Sequence, residues 1–184
     1  MRIVAGRHRG RTLLAPPGDA VRPTSDRIRE ALFNILTHGY GNAVVDARVL
    51  DLFAGTGALG IEASSRGAAF VLFVDDGAEA RALLRENVET LGLGGLTRIF
   101  RRDATDLGPV HPLEPFAVAF LDPPYGKGLA EKALASMHTG GWLLSGALAV
   151  VEESVEARFS TPDGFEEIER RDYGDSELIF LHHI

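Results

Sequence analysis

From about Val49 onward, short apolar runs alternate with helical patterns, and this alternation constrains the fold more than any other feature. Val49–Phe53, Phe70–Val74 and Phe116–Leu121 are apolar runs typical of strands buried on both faces. Between the last two, a helix is predicted from about Gly77 to Leu91. This alternation favours an α/β fold, in which a mostly parallel sheet carries helices on both faces. Ligands of such folds bind beyond the carboxyl ends of the strands, where the strand order reverses.

The remaining segments follow the same pattern, apart from the two ends of the chain. Thr24 or Ser25 can cap a helix that begins near Asp26. We predict an amino-terminal appendage at residues 1–23, formed by two short strands, and one domain at residues 24–184. The other predicted elements are strands at 97–102 and 147–152, a helix at 129–138, and a hairpin of residues 166–173 and 177–182 joined by a turn at Gly174.

The charge of the chain is unevenly distributed. The net charge of the 184 residues is −7, yet residues 1–30 contain seven arginines and only three acidic residues. A basic arm on an acidic body can bind a polyanion locally, although a solvated charged face is the simpler interpretation. The chain contains no cysteine, no apolar run long enough to span a membrane, and no apolar signal segment at its amino terminus. We therefore expect a cytoplasmic protein with neither a membrane partner nor a metal.

A glycine-rich loop follows the first predicted strand. The segment that begins at Asp51 and ends at Gly60 contains the spacing G-x-G-x-x-G between a strand and a helix. Gly55 and Gly57 let the backbone turn sharply and approach a ligand closely. Asp75 ends the next strand, where a carboxylate can accept hydrogen bonds from both ribose hydroxyls. The spacing fits a dinucleotide, and it also fits S-adenosylmethionine.

Asp51 favours S-adenosylmethionine of these two cofactors. A carboxylate immediately before the loop would repel a pyrophosphate, whereas it could hold an amino group directly or through water. Phe53 lies in the same loop, and Asp103-Ala104 follows the next strand, where Asp103 is placed to reach an adenine amine. A purely structural turn at the loop and a capping role for Asp103 are the alternatives.

The segment Asp122-Pro123-Pro124-Tyr125 follows a buried strand and carries the predicted chemistry. An exocyclic amine is a poor nucleophile because its lone pair is delocalised into the ring. The Asp122 side chain and the Pro123 carbonyl can accept hydrogen bonds from its two N–H groups and aim the lone pair, and Tyr125 can stack on the base. Because the sulfonium is already a good leaving group, positioning for in-line attack is the main remaining task. We predict that these four residues are catalytic and that Asp122 also contacts the cofactor.

The chain resembles the amino-methyltransferases with a D/N-P-P-Y/F motif. It is most similar to the bacterial family that methylates the N2 amine of one guanine in 16S ribosomal RNA, the RNA of the small ribosomal subunit. The resemblance extends over nearly the whole chain, and its most specific part is the segment from Arg22 to Leu36. The other matching segments are residues 2–11, 51–63, 122–125 and 173–176.

The resemblance implies a Rossmann-like class I methyltransferase fold. Its sheet has seven strands, is mostly parallel and has an antiparallel last strand, and a β-hairpin that helps to bind RNA precedes it. The expected partner is 16S ribosomal RNA, within a partly assembled subunit because the body of the protein is acidic. Thr24, Asp26 and Arg27 would line the edge of the cofactor pocket. The RNA would contact the arginines Arg7, Arg9, Arg11, Arg22 and Arg29.

Three other functions fit part of the sequence. A DNA adenine-N6 methyltransferase shares the Asp122 motif, but usually has a target-recognition domain for which this chain has no room. A protein glutamine methyltransferase usually has asparagine at the position of Asp122. A nucleotide-binding module without activity is disfavoured by the combination of Gly55, Gly57, Asp75 and Asp122.

Overall fold

The computed structural model describes residues 1–17 and 23–184, and only the backbone of residues 23–25. Arg22, a predicted RNA contact, and the side chain of Thr24, a predicted cofactor contact, therefore lie outside the described part. The helices are α1 (Pro23–Gly39), α2 (Ala58–Ser65), α3 (Ala78–Thr90) and α4 (Leu129–Gly140). The strands are β1 (Arg48–Leu52), β2 (Phe70–Val74), β3 (Thr97–Phe100), β4 (Phe116–Leu121), β5 (Leu143–Ser154), β6 (Phe165–Tyr173) and β7 (Ser176–His183).

The seven strands form one sheet in the order β3-β2-β1-β4-β5-β7-β6. Strands β1 to β5 pair with one another in parallel, and β7 is antiparallel to both β5 and β6. The predicted sheet with its antiparallel last strand is therefore confirmed. The chain leaves β1 toward β2 on one side and later returns to pair β4 on the other, so the strand order reverses between β1 and β4. This reversal separates the helices that follow the two strands and leaves a crevice at their carboxyl ends.

Two apolar layers cover the two faces of the sheet. Successive residues of a strand point to opposite faces, so Val49 of β1 joins the layer beneath α1, α2 and α3, whereas Leu50 joins the layer beneath α4. The central apolar strands thus bury both faces, as their sequences predict. In the described part of the chain, no helix has the length and apolar character needed to cross a membrane. Nor do the described residues contain a group of three or more histidine or acidic side chains able to hold a metal ion.

Helix α1 begins earlier than the sequence predicts. The expected start was near Asp26 with Thr24 or Ser25 as the cap, but the helix already includes Pro23. Proline is favoured in the first turn of a helix because its fixed φ is helical and its missing N–H is not needed there. Thr24 and Ser25 are therefore helical residues rather than caps.

The amino-terminal segment packs against α2 through one buried carboxylate, Glu62. Arg2 and Thr12 form an antiparallel bridge, as expected of two short paired strands. Glu62 is 1% exposed, and it accepts hydrogen bonds from the N–H groups of Val4 (2.8 Å) and Ala5 (3.1 Å). Ile3 and Leu13 are buried in the same apolar layer as α1 and α2. The segment is therefore fixed to the sheet domain by backbone hydrogen bonds as well as by apolar contact.

Replacing Glu62 is expected to loosen this attachment. Glu62 also forms ion pairs with Arg66 (2.9 Å) and with the buried Arg29 (3.7 Å). Removing one member of a buried ion pair leaves the other uncompensated, so Glu62→Ala should lower the free energy of unfolding by about 3 kcal/mol in urea denaturation. The amides of Val4 and Ala5 should also exchange faster with solvent.

Glu89→Ala is the matched control, because Glu89 is an exposed acid on α3. An exposed substitution of this kind should change the stability by no more than about 0.5 kcal/mol. Equal stability of the two variants would contradict the assigned role of Glu62.

Candidate active site

A cleft of about 620 Å³ opens at the carboxyl edge of the parallel strands. Residues at or near the carboxyl ends of five neighbouring strands line it, and they include eight of the predicted catalytic and cofactor-contacting residues. The described lining residues are Phe53 after β1, Val74, Asp75 and Asp76 at β2, Arg102, Asp103 and Ala104 after β3, Asp122–Tyr125 after β4, and Glu152 of β5. The sheet therefore brings Phe53 of the glycine-rich loop, the acidic residues after β2 and β3, and the proline-rich segment to one place.

A second cavity, of about 850 Å³, shares part of its wall with this cleft. Phe53, Asp122 and Glu152 line both. The second cavity is bounded by the glycine-rich loop with Asp51 beneath it, by α1, by the first half of α3, and by Pro16 and Pro17 of the amino-terminal segment. An elongated ligand can therefore extend from one cavity into the other past Phe53 and Asp122.

Two glycines permit the close packing of α2 on the sheet. Gly57 precedes α2 with φ +84, and a Cβ at this position would lie 2.3 Å from Leu84 Cδ1. A Cβ on Gly60 would lie 2.4 Å from the Phe73 ring and 3.0 Å from Asp51 Oδ2. Phe53, a non-glycine residue, adopts φ +57 at the start of the same loop. A left-handed aromatic residue is uncommon and is found preferentially where a ligand is held.

Asp51 is buried beneath this loop, at 1% exposure. Its Oδ2 accepts a hydrogen bond of 2.9 Å from the Gly60 N–H at the start of α2. Burial, with a smaller contribution from the nearby charge of Asp75, raises the pKa of Asp51 to about 8, although the Gly60 hydrogen bond acts in the opposite direction. A cationic group of a ligand in the second cavity would therefore meet a carboxyl group that gains from being paired.

Asp75 supports the glycine-rich loop as well as facing the cleft. Its Oδ2 accepts a hydrogen bond from the Gly55 N–H, and its Oδ1 accepts a hydrogen bond from the Gly77 N–H. Both bonds are 2.8 Å long. A carboxylate has about four acceptor positions, so these bonds leave capacity for two hydroxyl groups of a ligand. The predicted contact with a ribose stays a prediction, and the geometry is compatible with it.

Asp103 and Ala104 lie on the far wall of the cleft. Asp103 is exposed, and its Oδ1 accepts hydrogen bonds from the backbone N–H (2.8 Å) and the hydroxyl (2.7 Å) of Thr105. The hydroxyl bond and then the backbone bond hold the pKa of Asp103 below its usual value. Ala104 is buried and presents a small apolar surface. Together they form a wall with one ionised carboxylate and one flat apolar side, which suits the edge and face of a purine.

The proline-rich segment lies at the junction of the two cavities. Asp122 is exposed to the cleft, and the Tyr125 hydroxyl donates a hydrogen bond of 2.8 Å to Glu152 Oε1. Pro123 is buried and Pro124 is exposed. The catalytic roles of these residues stay predictions, but the structure places all four around the same opening.

Glu152 is a site residue that the sequence analysis missed. The predicted strand at 147–152 ended at this residue, and the rule that ligands bind at the carboxyl ends of parallel strands applies to it as it does to Asp122. No local signal distinguishes Glu152 from its neighbours, because it lies within an acidic stretch that contains no recognisable motif.

The predicted RNA contacts lie in two different places. Arg7, Arg9 and Arg11 are exposed on the amino-terminal segment. Arg29 does not belong to that surface: it is 4% exposed, pairs with Asp26 (3.2 Å) and Glu62 (3.7 Å), and donates a hydrogen bond to the Arg2 carbonyl. The apolar face of α1 carries Arg29 inward, where it fixes the amino-terminal segment and reaches the wall of the second cavity. Arg27 is exposed in the second turn of α1, and its role at the cofactor pocket stays a prediction, as does that of Asp26.

Residues 1–182 match the sequence profile of the family described as Conserved hypothetical protein 95. The chain belongs to this family. Its relatives include ribosomal RNA small subunit methyltransferase D of Escherichia coli K12, which is 39% identical over 156 residues, 85% of this chain and 76% of that protein. The Haemophilus influenzae protein of the same name is 35% identical over 167 residues, 90% of this chain and 84% of that protein. This member of the Conserved hypothetical protein 95 family is therefore a methyltransferase.

Solved structures confirm the Rossmann-like class I methyltransferase fold. The Escherichia coli protein yhhF superimposes with a TM-score of 0.83 at 34% identity, covering 100% of this chain and 97% of that chain. A hypothetical protein from Thermus thermophilus superimposes with a TM-score of 0.74 at 34% identity, covering 98% of each.

The buried Asp51 is expected to make the stability of the ligand-free protein depend on pH. Its pKa in the folded protein, about 8, exceeds its ordinary value of 3.8, so folding favours the protonated form. The stability contributed by Asp51 is therefore fully present below about pH 4 and is lost as the pH rises through 8. Asp51→Asn removes this titration, so its melting temperature relative to wild type should rise steadily between pH 5 and pH 8.

Asp46→Asn is the control, because Asp46 is exposed near the start of the same strand. Its melting temperature should keep a constant offset from wild type over the same range. A constant offset for Asp51→Asn as well would contradict the assigned titration.

Proposed function

We propose that the protein transfers a methyl group from S-adenosylmethionine to the exocyclic N2 amine of a guanine in 16S ribosomal RNA. The junction of the two cavities at Asp122 carries the proposal, because it joins a cofactor-sized cleft to an opening where an amine could be held. The names of the relatives support ribosomal RNA of the small subunit as the substrate. We further propose that the reaction takes place in the cytoplasm, on a partly assembled subunit.

The charge of the cleft supports S-adenosylmethionine over a dinucleotide. Five of the described residues that line the cleft are acidic (Asp75, Asp76, Asp103, Asp122 and Glu152). Arg102 is the one basic residue among the described lining residues. A pyrophosphate would be repelled by this set, whereas a sulfonium and an ammonium group would be attracted. In this assignment the nucleoside occupies the cleft, the amino group approaches Asp51, and Phe53 separates the two parts.

When bound, S-adenosylmethionine supplies a methyl group on a positively charged sulfur, which is a good leaving group. The residues of this chain then have to hold the acceptor nitrogen in line with that methyl group. Asp122 and the Pro123 carbonyl accept hydrogen bonds from the two N–H groups of the amine, and the Tyr125 ring stacks on the base. The methylated nitrogen loses one proton, which Asp122 or water can accept.

The surplus of acceptors at the junction favours guanine over adenine. The N2 amine of guanine is flanked by the N1–H donor, whereas the N6 amine of adenine is flanked by the N1 acceptor. Asp122 itself does not distinguish the two bases, since adenine methyltransferases share its motif. A further acceptor beside it, such as a Glu152 oxygen, would match the N1–H of guanine and oppose the N1 acceptor of adenine. A paired guanine must leave its helix to reach this position, at a cost of a few kcal/mol that stacking on Tyr125 partly offsets.

The reaction is tested with small subunits whose ribosomal RNA lacks the methyl group, incubated with labelled S-adenosylmethionine. Digestion to nucleosides should give labelled N2-methylguanosine, and mapping should place the label on one nucleotide of 16S ribosomal RNA. Label in N6-methyladenosine would overturn the proposed base, and labelled protein would overturn the proposed substrate.

In the same assay, Asp122→Ala should lower kcat by roughly 100-fold or more, because one positioned hydrogen-bonding partner of the reacting nitrogen is removed. The dissociation constant of S-adenosylmethionine, measured by calorimetry, should change by less than about threefold. Asp106→Ala is the control, since Asp106 is an exposed acid in the loop after β3. Wild-type turnover in Asp122→Ala would contradict the proposed role.

The exposed arginines of the amino-terminal segment are proposed to bind the RNA backbone. Replacing Arg7, Arg9 and Arg11 together by alanine should weaken RNA binding and reduce the slope of log K against log salt by about 0.7–0.9 for each phosphate that is no longer bound. Cofactor affinity should not change. Arg171→Ala serves as the control, since Arg171 is an exposed arginine on the edge strand β6. An equal loss of RNA and cofactor binding in the triple variant would indicate a purely structural segment.

A further inference from the structure

We infer that two consecutive glutamates at the end of β5, Glu152 and Glu153, hold the Asp122–Gly126 segment in its working conformation. We further infer that Glu152 is a positioning residue, which acts on methyl transfer through the hydroxyl of Tyr125. The catalytic part of this inference rests on the proposed function, whereas the structural part does not.

The register of the sheet places the two segments side by side. Strands β4 and β5 are parallel, and Leu121 pairs with Val151. The next residue of each strand, Asp122 and Glu152, therefore reaches the carboxyl edge of the sheet at the same level. Both line the cleft and the second cavity, so Glu152 lies at the junction to which the proposed function assigns the acceptor base.

Consecutive strand residues point to opposite faces of the sheet. Glu152 and Glu153 therefore contact the Asp122–Gly126 segment from different sides. Glu152 Oε1 accepts a hydrogen bond from the Tyr125 hydroxyl at 2.8 Å. Glu153 Oε1 accepts one from the Gly126 N–H at 3.0 Å, and one from the Ser154 N–H at 2.8 Å. The aromatic ring and the backbone that follows it are thus fixed to β5 independently of each other.

The burial of Glu153 indicates that its carboxyl group is retained for these contacts rather than for packing. The residue is 1% exposed, and its Oε2 has no hydrogen-bond partner among the described residues. Burying a polar atom without a partner is costly, and an apolar residue of similar volume would fill the same space without that cost. The bond to Gly126 gives the carboxyl group a role that an apolar residue could not perform.

The orientation of the Tyr125 ring explains why such a tether would affect the reaction. A stacked base follows the plane of the ring, so a ring free to change rotamer would spread the acceptor nitrogen over several positions. Misplacement by about 1 Å can cost as much as 100-fold in rate. The bond to Glu152 selects one ring orientation before the RNA arrives.

A double-mutant cycle tests the catalytic part. Glu152→Ala and Tyr125→Phe should each lower kcat by about tenfold, as expected for the loss of one hydrogen bond that orients the ring. Because both remove the same bond, the double variant should be no slower than the slower single variant. Glu152→Gln, which keeps an acceptor oxygen, should recover most of the activity. All of these variants should bind S-adenosylmethionine within about twofold of wild type.

Glu156→Ala is the control, since Glu156 is an exposed acid just after β5. Losses that multiply in the double variant would show that Glu152 acts by a route separate from Tyr125, and would overturn the positioning role. A matching loss of cofactor affinity would likewise overturn it in favour of a general structural defect.

Hydrogen exchange of the ligand-free protein tests the structural part without any substrate. Glu153→Leu should fold with nearly unchanged stability, yet the amide of Gly126 should exchange faster, and Glu152→Ala should speed exchange over residues 122–126. Unchanged exchange in both variants would overturn the tether. Failure of the wild-type protein to methylate ribosomal RNA would overturn the proposed function. It would not affect the hydrogen-exchange test, which uses no substrate.

Discussion

The parallel pairing of β1 with β4 determines where the chemistry of this protein can occur. Leu52 pairs with Leu121, so the residues that follow the two strands leave the sheet next to each other. Because the strand order reverses here, the helices that follow diverge and leave the crevice open. The glycine-rich loop supplies one wall of that crevice and the Asp122 segment the other. A shift of one strand by one residue in this register would turn the side chains of that strand to the opposite faces of the sheet.

Carboxylates carry out several tasks around this crevice, and their surroundings distinguish them. Asp51 is buried and its pKa is raised, so it gains from a cationic partner. The exposed Asp103 is held ionised by Thr105, because hydrogen bonds to the charged form lower its pKa. Glu62, away from the crevice, is buried but accepts two backbone N–H groups and pairs with two arginines. The same chemical group therefore serves as a candidate ligand contact in one place and as an attachment point in another.

Much of the fold was predictable because the central strands are apolar on both faces, and the helices between them have regular apolar spacing. The grouping of the glycine-rich loop with the residues at the strand ends was also predictable, because the carboxyl ends of parallel strands lie at one edge of the sheet. One prediction about α1 was wrong, because the helix begins at Pro23 rather than near Asp26. Arg29, a predicted RNA contact, is 4% exposed and pairs with the buried Glu62, and its contact with RNA stays a prediction. The basic stretch around Arg29 does not reveal its burial, because the pairing with Glu62 depends on the tertiary structure.

The sequence alone determined the order of the elements, the type of loop after β1 and the proline-rich segment after β4, because each depends on residues close together in the chain. The tertiary structure decided which distant residues support that segment. Glu152 and Glu153 lie about thirty positions after Asp122 in an acidic stretch without a motif, and only the pairing of β4 with β5 brings them to Tyr125 and Gly126. Long-range hydrogen bonds of this kind leave no periodic pattern in the sequence, since they depend on the register between strands and not on local spacing.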